Sequence, residues 1–275
     1  MNTDGATALL EVRDLTVAYH RKRFGSATPV LSGVSLDVGP GETVGIVGES
    51  GSGKTTLGRA VLGVAPVTGG RIRFDGIEIG GVAPRNRGQL ARQIQIIFQN
   101  PYGSLNPTVP VGRSIAEPLQ VQPGVTRREA DRRVAEMLEA VGLPPEAAGR
   151  YPGDFSGGQR QRIVIARALI SSPRLIVCDE VTSALDLSIQ AQVLNLLRRL
   201  QAERRLSYLF ISHDLAVVRH MSNRIVALYR GEVVETGSAE QIYTAPVHSY
   251  TKRLVSSILA PEPEPAPSGS VQDRQ

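Results

Sequence analysis

In LLEVRDLTVA (residues 9–18) apolar side chains recur close to every second position, at Leu10, Val12, Leu15 and Val17, and VSLDV (34–38) continues the alternation. A segment with one apolar and one polar face suits an antiparallel layer that is wetted on one side. TVGIV (43–47) follows another pattern. It is apolar and partly β-branched on both faces, as are LIVC (175–178) and YLFI (208–211), and each run leads into polar residues and then a helical stretch. Strands buried on both faces and separated by helical segments predict a parallel sheet with crossover helices. The pattern therefore predicts an α/β fold with a parallel sheet and a separate antiparallel β layer.

Residues 89–170, between the first and second buried runs, are mostly helical in pattern. In EADRRVAEMLEAVGL (129–143) Val134, Met137, Leu138 and Val141 share one face and Gly142 lies near the end, the mark of an amphipathic helix in an inserted helical subdomain. Farther on, RIVALYRGEVVETG (224–237) predicts a hairpin turning at Arg230-Gly231, and PVHSYTKRLVSSIL (246–259) a short helix. The last stretch, APEPEPAPSGSVQDRQ, is rich in Pro and polar residues and is expected to be disordered. The chain thus divides into a core with its antiparallel layer (1–88 and 171–237), a helical subdomain (89–170), a C-terminal extension (238–260) and a tail (261–275).

Composition narrows the function classes. A chain of 275 residues with 41% hydrophobic residues can bury a large core. Its mean hydropathy of -0.08 and the lack of a window of ~18 uninterrupted apolar residues argue against a membrane helix. The start, MNTDGATALLEVRD, has neither a basic leader nor an apolar core, so a cytosolic location is expected. The single cysteine, Cys178, cannot form an internal disulfide, and no Cys/His cluster has metal-ligand spacing, so a zinc or iron-sulfur site is not expected. Net charge is +5, which could suit nucleic acid or a membrane surface, but Arg and Asp/Glu are interspersed, as on a mixed solvated surface.

The chemistry concentrates in a few phrases. GESGSGKTT (48–56) directly follows TVGIV and precedes the helical LGRAVLGV. Strand, glycine-rich loop and helix in that order make a phosphate site: glycines let successive N–H groups point inward, and the helix N-terminus adds its dipole. Lys54, one of three lysines in the chain, would reach the β- and γ-phosphates, and the Thr55 hydroxyl would hold Mg²⁺. LIVCDE (175–180) carries Asp179 and Glu180 to the carboxyl end of a parallel strand, where α/β folds bind ligands. There Asp179 would orient Mg²⁺ and Glu180 would polarise an attacking water. Cys178 is expected to pack in that strand as an inert buried thiol. QIQIIFQ ends in Gln99, and His213 follows YLFIS, so both could project towards the same edge, although a lone Gln or His at a strand end is often only a satisfied surface residue. A second Ser-Gly-Gly turn, in FSGGQRQRIVIARAL (155–169), opens another apolar helix.

Together GESGSGKTT, Gln99, FSGGQ, LIVCDE, SALD (183–186) and His213 resemble, in order, the motifs of the nucleotide-binding subunit of ABC transporters over about residues 9–237. The resemblance implies the ABC ATPase fold: a P-loop NTPase core with a parallel sheet, an antiparallel β subdomain and an inserted helical subdomain. It implies ATP and Mg²⁺ as ligands, with ATP bound by Tyr19, Gly48, Ser50, Gly51, Ser52, Gly53, Lys54, Thr55 and Thr56, and Mg²⁺ by Thr55, Gln99 and Asp179. Glu180, His213 and Gln99 become the catalytic set and Asp186 the D-loop residue. The signature motif, Ser156, Gly157, Gly158 and Gln159, would close over ATP held by a partner cassette. The family pattern usually begins that motif with Leu, where this chain has Phe155.

IIFQNPYGSLNPTVPVGRSIAEPL (96–119) is similar to the ATPase subunits of dipeptide, oligopeptide and nickel importers, and His248-Ser249-Tyr250-Thr251 to their HPYT phrase, with Ser in place of Pro. That branch implies a peripheral protein on the cytoplasmic face of the membrane, paired with a second ATPase, a heterodimer being favoured over a homodimer. It further implies two transmembrane permeases, an extracytoplasmic solute-binding protein and no direct nucleic-acid contact. Some members bind an iron-sulfur cluster through C-terminal cysteines; this chain has none there, so no cluster is expected. NPYGSLNP would line a groove for a permease helix, or serve only as a turn-rich linker. A soluble ABC-type ATPase acting on nucleic acid or ribosomes is the alternative function, and a nucleotide-responsive module without turnover a third.

Overall fold

The computed structural model describes residues 8–20, 27–88, 90–99, 101–120, 122–183 and 185–259. The tail expected to be disordered, 261–275, lies outside the described residues. Strands β1 (Leu10–His20) and β2 (Ala27–Val38) pair antiparallel, Leu10 opposite Val38, and β4 (Val67–Phe74) and β5 (Ile77–Glu78) extend them into a sheet ordered β2-β1-β4-β5. This is the predicted antiparallel layer, its Leu10, Val12, Leu15 and Val17 wholly buried.

The second sheet runs β10-β9-β3-β8-β7-β6, where β3 is Thr43–Val47, β6 Ile94–Ile97, β7 Leu175–Asp179, β8 Ser207–Ile211, β9 Arg224–Tyr229 and β10 Glu232–Ser238. β6, β7, β8, β3 and β9 are mutually parallel, and β10 returns antiparallel through the predicted turn, where Arg230 and Gly231 both have positive φ. The continuous apolar runs follow from burial on both faces. Leu175, Val177, Leu209 and Ile211 pack with the antiparallel layer, whereas Ile176, Cys178, Tyr208 and Phe210 pack with the helices on the other side. Cys178 is a packing residue, as expected, and burial holds its thiol far above the usual range. Ile94–Ile97, within the span assigned to the helical subdomain, is the strand that ends just before Gln99, an edge strand of the parallel sheet.

Helix α1 (Lys54–Leu62) follows β3, and α2 (Leu90–Gln93) leads into β6. Then come α3 (Pro101–Ser104), α4 (Val111–Gln120), α5 (Arg127–Ala140) and α6 (Gly157–Leu169), which pack on one another as the helical subdomain. In α5 the buried positions are Val134, Met137 and Leu138; Val141 caps it and Gly142 turns left-handed after it. Arg167 on α6 reaches the Ser104 carbonyl at 2.8 Å and Glu117 at 2.6 Å, which ties α3 and α4 to α6. α7 (Leu187–Arg204) and α8 (Leu215–Met221) follow β7 and β8, and α9 (Ala239–Thr244) and α10 (Ser249–Leu259) follow β10.

Two buried polar side chains, Arg87 and Tyr208, tie loops and helices to this core. The Arg87 guanidinium is buried and donates to the carbonyls of Val61, Ile79 and Val82, which anchors the loop after β5 to the end of α1. Tyr208, fully buried in β8, donates its hydroxyl to the Leu197 carbonyl of α7 at 3.0 Å. Removing that hydroxyl leaves no cavity and deletes one buried hydrogen bond, so Tyr208→Phe should lower stability by about 1 kcal/mol, read from urea unfolding of the two proteins.

Candidate functional site

The site forms where the parallel strands end. β3 passes into residues 48–53, and Gly48 (φ 155°), Gly51 (φ 80°) and Gly53 (φ 106°) take backbone conformations that L side chains resist. Space adds a second constraint at Gly48 and Gly53: a Cβ would lie 2.2 Å from the Leu228 carbonyl oxygen at the first and 2.6 Å from a Leu31 methyl at the second. Gly53 is the left-handed N-cap of α1, so the first N–H groups of that helix open towards the loop. Lys54 is buried and folds back, its Nζ donating to the Gly48 carbonyl at 2.6 Å and to that of Glu49 at 2.8 Å. Burial lowers its pKa, against the pull of the nearby Glu180, Asp179 and Glu49 carboxylates. The Ser52 hydroxyl is buried with no hydrogen-bond partner among the described residues. A helix N-terminus, a buried ammonium and an orphaned hydroxyl fit a phosphate chain.

β7 delivers the acidic half. The Thr55 hydroxyl donates to Asp179 Oδ1 at 3.1 Å, so the loop and the strand end meet through the two residues expected at Mg²⁺. Hydroxyl and carboxylate oxygens are hard donors of the kind Mg²⁺ takes. Burial raises the Asp179 pKa, helped by the Glu180 charge and opposed by the Thr55 hydrogen bond and by Arg59 and Lys54. Glu180 has φ 51°, unusual for a side chain at a strand end. The conformation is held from both sides: its N–H donates to the Ile211 carbonyl at 2.9 Å, and its carbonyl accepts from the Ser183 N–H at 3.2 Å and hydroxyl at 3.1 Å.

One carboxylate oxygen of Glu180 is the meeting point of the site. Oε2 accepts from Gln99 Nε2 at 3.2 Å and lies 3.2 Å from His213 Nδ1. Gln99, two residues beyond β6, and His213, two residues beyond β8, flank the residue that ends the strand between them. A Gln and a His that looked unremarkable singly are thus joined to one carboxylate.

The remaining motif residues lie elsewhere. Ser156 and Gln159 cap α6 reciprocally, Ser156 N–H donating to Gln159 Oε1 at 3.0 Å and Gln159 N–H to Ser156 Oγ at 3.4 Å. Gly157 and Gly158 form the first turn of α6, and Gly158 packs so closely on Ile189 that a Cβ would lie 2.6 Å from its methyl. Phe155, in place of the usual Leu, is buried beneath the Arg150 guanidinium at 4.4 Å. Among the described residues no hydrogen bond joins Ser156–Gln159 to the loop 48–56. Asp186 caps α7 through the Ile189 N–H at 2.9 Å. Tyr19 is exposed on β1 opposite Thr28, close along that hairpin to the Val30–Leu31 stretch that packs on Gly53.

A family model described as ABC transporter matches residues 31–183, more than half the chain and the whole span from the glycine-rich loop to Ser183. The chain belongs to the ABC transporter family. It is 45% identical over 278 aligned positions to the oligopeptide transport ATP-binding protein OppF of Escherichia coli (strain K12), covering 98% of this chain and 83% of that one. It is 47% identical over 263 positions to a chain of Brucella abortus (strain 2308) provisionally named a peptide import ATP-binding protein, covering 93% and 78%. The fold is similar to the ATP-binding cassette MJ0796, a dimer in a post-hydrolysis state bound to ADP and Pi, with a TM-score of 0.73, 29% identity and coverage of 84% of this chain and 98% of that one. As an ABC cassette the chain is an ATPase, and no helix among the described residues is long and apolar enough to cross a membrane.

Sequence reasoning passed over one contact at the site. The Glu49 N–H donates to the Tyr250 phenol oxygen at 2.8 Å, across 201 residues of chain, and no spacing rule links the two. The HSYT phrase was visible, but not what it touches.

The Asp179 carboxyl has a sign that can be checked. Its folded pKa is raised, so the folded state binds a proton more readily than the unfolded one, and its contribution to stability declines as pH rises through the carboxylate range. Asparagine keeps the Oδ1 acceptor for Thr55 without the charge. ATP-free Asp179→Asn should therefore melt no lower than the parent at pH 7, and the difference in its favour should shrink as pH falls towards 4, measured by calorimetry across that range.

Proposed function

We propose that this ATPase powers an importer of oligopeptides or a related small solute, working through separate membrane-spanning chains. The observation that carries the catalytic part is the convergence of Gln99, Glu180 and His213 on one carboxylate oxygen beside the Thr55–Asp179 pair. The peptide cargo is supported by the names of the relatives, and the alternative on nucleic acid or ribosomes finds no support among them.

In this reading Gly48, Ser50, Gly51, Ser52 and Gly53 turn backbone N–H groups towards the phosphates of ATP, with Thr56 in the first turn of α1 behind them. Lys54 is already dehydrated and oriented by two carbonyls, so its ammonium turns its remaining N–H to phosphate oxygens with little solvent to shed. Thr55, Gln99 and Asp179 would hold Mg²⁺, whose charge offsets that of the phosphates. Glu180 takes the proton of the attacking water on Oε1 while Gln99 and His213 hold Oε2, which fixes the carboxylate's orientation. Tyr19, exposed on β1, stacks on the adenine ring.

Ser156–Gln159 has a different task. It is a helix N-terminus already capped and not bonded to its own loop, so it serves a nucleotide held by another cassette, with Asp186 nearby at the start of α7. Hydrolysis removes the γ-phosphate that both chains would hold, which couples pairing to turnover. The partner is a second cassette, a heterodimer being favoured, and two permeases and a solute-binding protein complete the assembly. A cleft of about 260 Å³ lined by Leu62, Val64, Ile96 and the half-exposed Phe98 lies just before Gln99 and would receive a permease helix.

Two experiments test this. Glu180→Gln should keep ATP binding and lose turnover by at least ~10², measured as phosphate release from the assembled complex; unchanged turnover would remove Glu180 from the catalytic role. Purification of the full-length chain from native membranes should bring two membrane-spanning proteins and a second cassette. Recovery with ribosomes or DNA in their place would overturn the importer reading.

A further inference from the structure

The C-terminal helix reaches the nucleotide loop through one phenol. Tyr250 is 1% exposed, its ring tilted against Tyr229 at a centroid distance of 4.4 Å, and its oxygen accepts the Glu49 N–H at 2.8 Å. The start of α10 is itself fastened to β10: the Glu235 carboxylate accepts the Val247 N–H at 2.7 Å and the His248 N–H at 2.9 Å, and His248 Nδ1 accepts the Tyr250 N–H at 3.2 Å. The phenol therefore comes from an anchored element.

What it holds is a single peptide unit. The N–H of Glu49 and the carbonyl of Gly48 belong to one planar amide and point in opposite directions. The carbonyl accepts Lys54 Nζ at 2.6 Å, and the N–H is taken by Tyr250. The amide is thus clamped at both ends, by the ammonium on the inner side of the loop and by the C-terminal helix on the outer. Gly48 on its own would leave this plane free to turn, since glycine lacks the Cβ that restricts rotation. A hydrogen bond on the N–H also polarises the carbonyl of the same amide and strengthens its hold on the ammonium. Farther along, the Ser52 carbonyl accepts the Gly231 N–H at 3.0 Å, so the β9–β10 turn braces the other end of the loop.

We propose that Tyr250 is a positioning residue for ATP binding, orienting the Gly48–Glu49 amide and through it Lys54, so that α10 and the nucleotide are energetically linked. This deepens the ATPase reading and rests on it. Linkage is reciprocal: bound ATP should tighten the docking of α10 as much as docked α10 tightens ATP.

Tyr250→Phe keeps the ring and its contact with Tyr229 while removing the acceptor. Val255→Ala, on the same helix and buried, trims its packing while α10 stays docked and the phenol in place. Each full-length variant is compared with the parent by ATP titration in the presence of Mg²⁺ and by hydrogen exchange with and without ATP. Tyr250→Phe should weaken ATP binding by about three- to tenfold, the scale of one hydrogen bond. It should also speed exchange at the Glu49 amide without nucleotide and abolish the protection that ATP gives α10. Val255→Ala should lower the melting temperature yet keep ATP affinity within about twofold. Parent-like affinity in Tyr250→Phe, or equal weakening by Val255→Ala, overturns the proposal. If the parent does not bind ATP, the nucleotide reading falls, and Glu49 exchange in Tyr250→Phe still decides whether the phenol holds the loop: parent-like exchange overturns that role too.

Discussion

Burial of the parallel sheet on both faces is the constraint on which the rest of the molecule depends. Strands covered by the antiparallel layer on one side and by helices on the other can carry polar side chains only at their ends. Because the strands run the same way, those ends share one edge. Asp179 and Glu180 at the end of β7, Gln99 beyond β6, His213 beyond β8 and the glycine-rich loop beyond β3 are neighbours for that reason. The strand order places β7 between β6 and β8, so the carboxylate of Glu180 has a flanking residue on either side.

At that edge, charge is handled by geometry rather than by solvent. Lys54 and Asp179 are each pushed towards their neutral forms by burial, and each is held by a specific contact, two carbonyls for the ammonium and a hydroxyl for the carboxylate. Charges held this far from solvent are costly without a ligand, and a bound nucleotide whose charges they meet offsets that cost. The positive φ of Glu180 belongs to the same economy of strain: a backbone held off its preferred conformation persists because Ile211 and Ser183 bind it from both sides.

The helical subdomain carries a second Ser-Gly-Gly turn, which makes no hydrogen bond to the glycine-rich loop among the described residues. Ser156 and Gln159 are spent in part on capping α6, and the two glycines pack against α7 through Ile189. The fold resembles that of a cassette whose structure is a dimer bound to ADP and Pi. Before the Ser-Gly-Gly turn Phe155 is buried with its ring under Arg150, which holds the start of α6 in the helical subdomain.

Much of this was legible in the residue string because it depends on local rules. A two-residue period marks the antiparallel layer, an all-apolar run marks a strand covered on both sides, and glycines before a Lys-Thr pair mark a loop that must bend where side chains cannot. The strand ending before Gln99 was legible too, as the apolar run in QIQIIFQ. Tertiary structure alone decided which strand ends became neighbours, that Gln99 and His213 meet on the same oxygen of Glu180, and that Tyr250 reaches Glu49 across 201 residues. The physical reason is common to all three. Periodicity reports which face of an element is buried, but a hydrogen bond between distant residues exists only after the sheet order and the packing of the last helix have set where each backbone group lies.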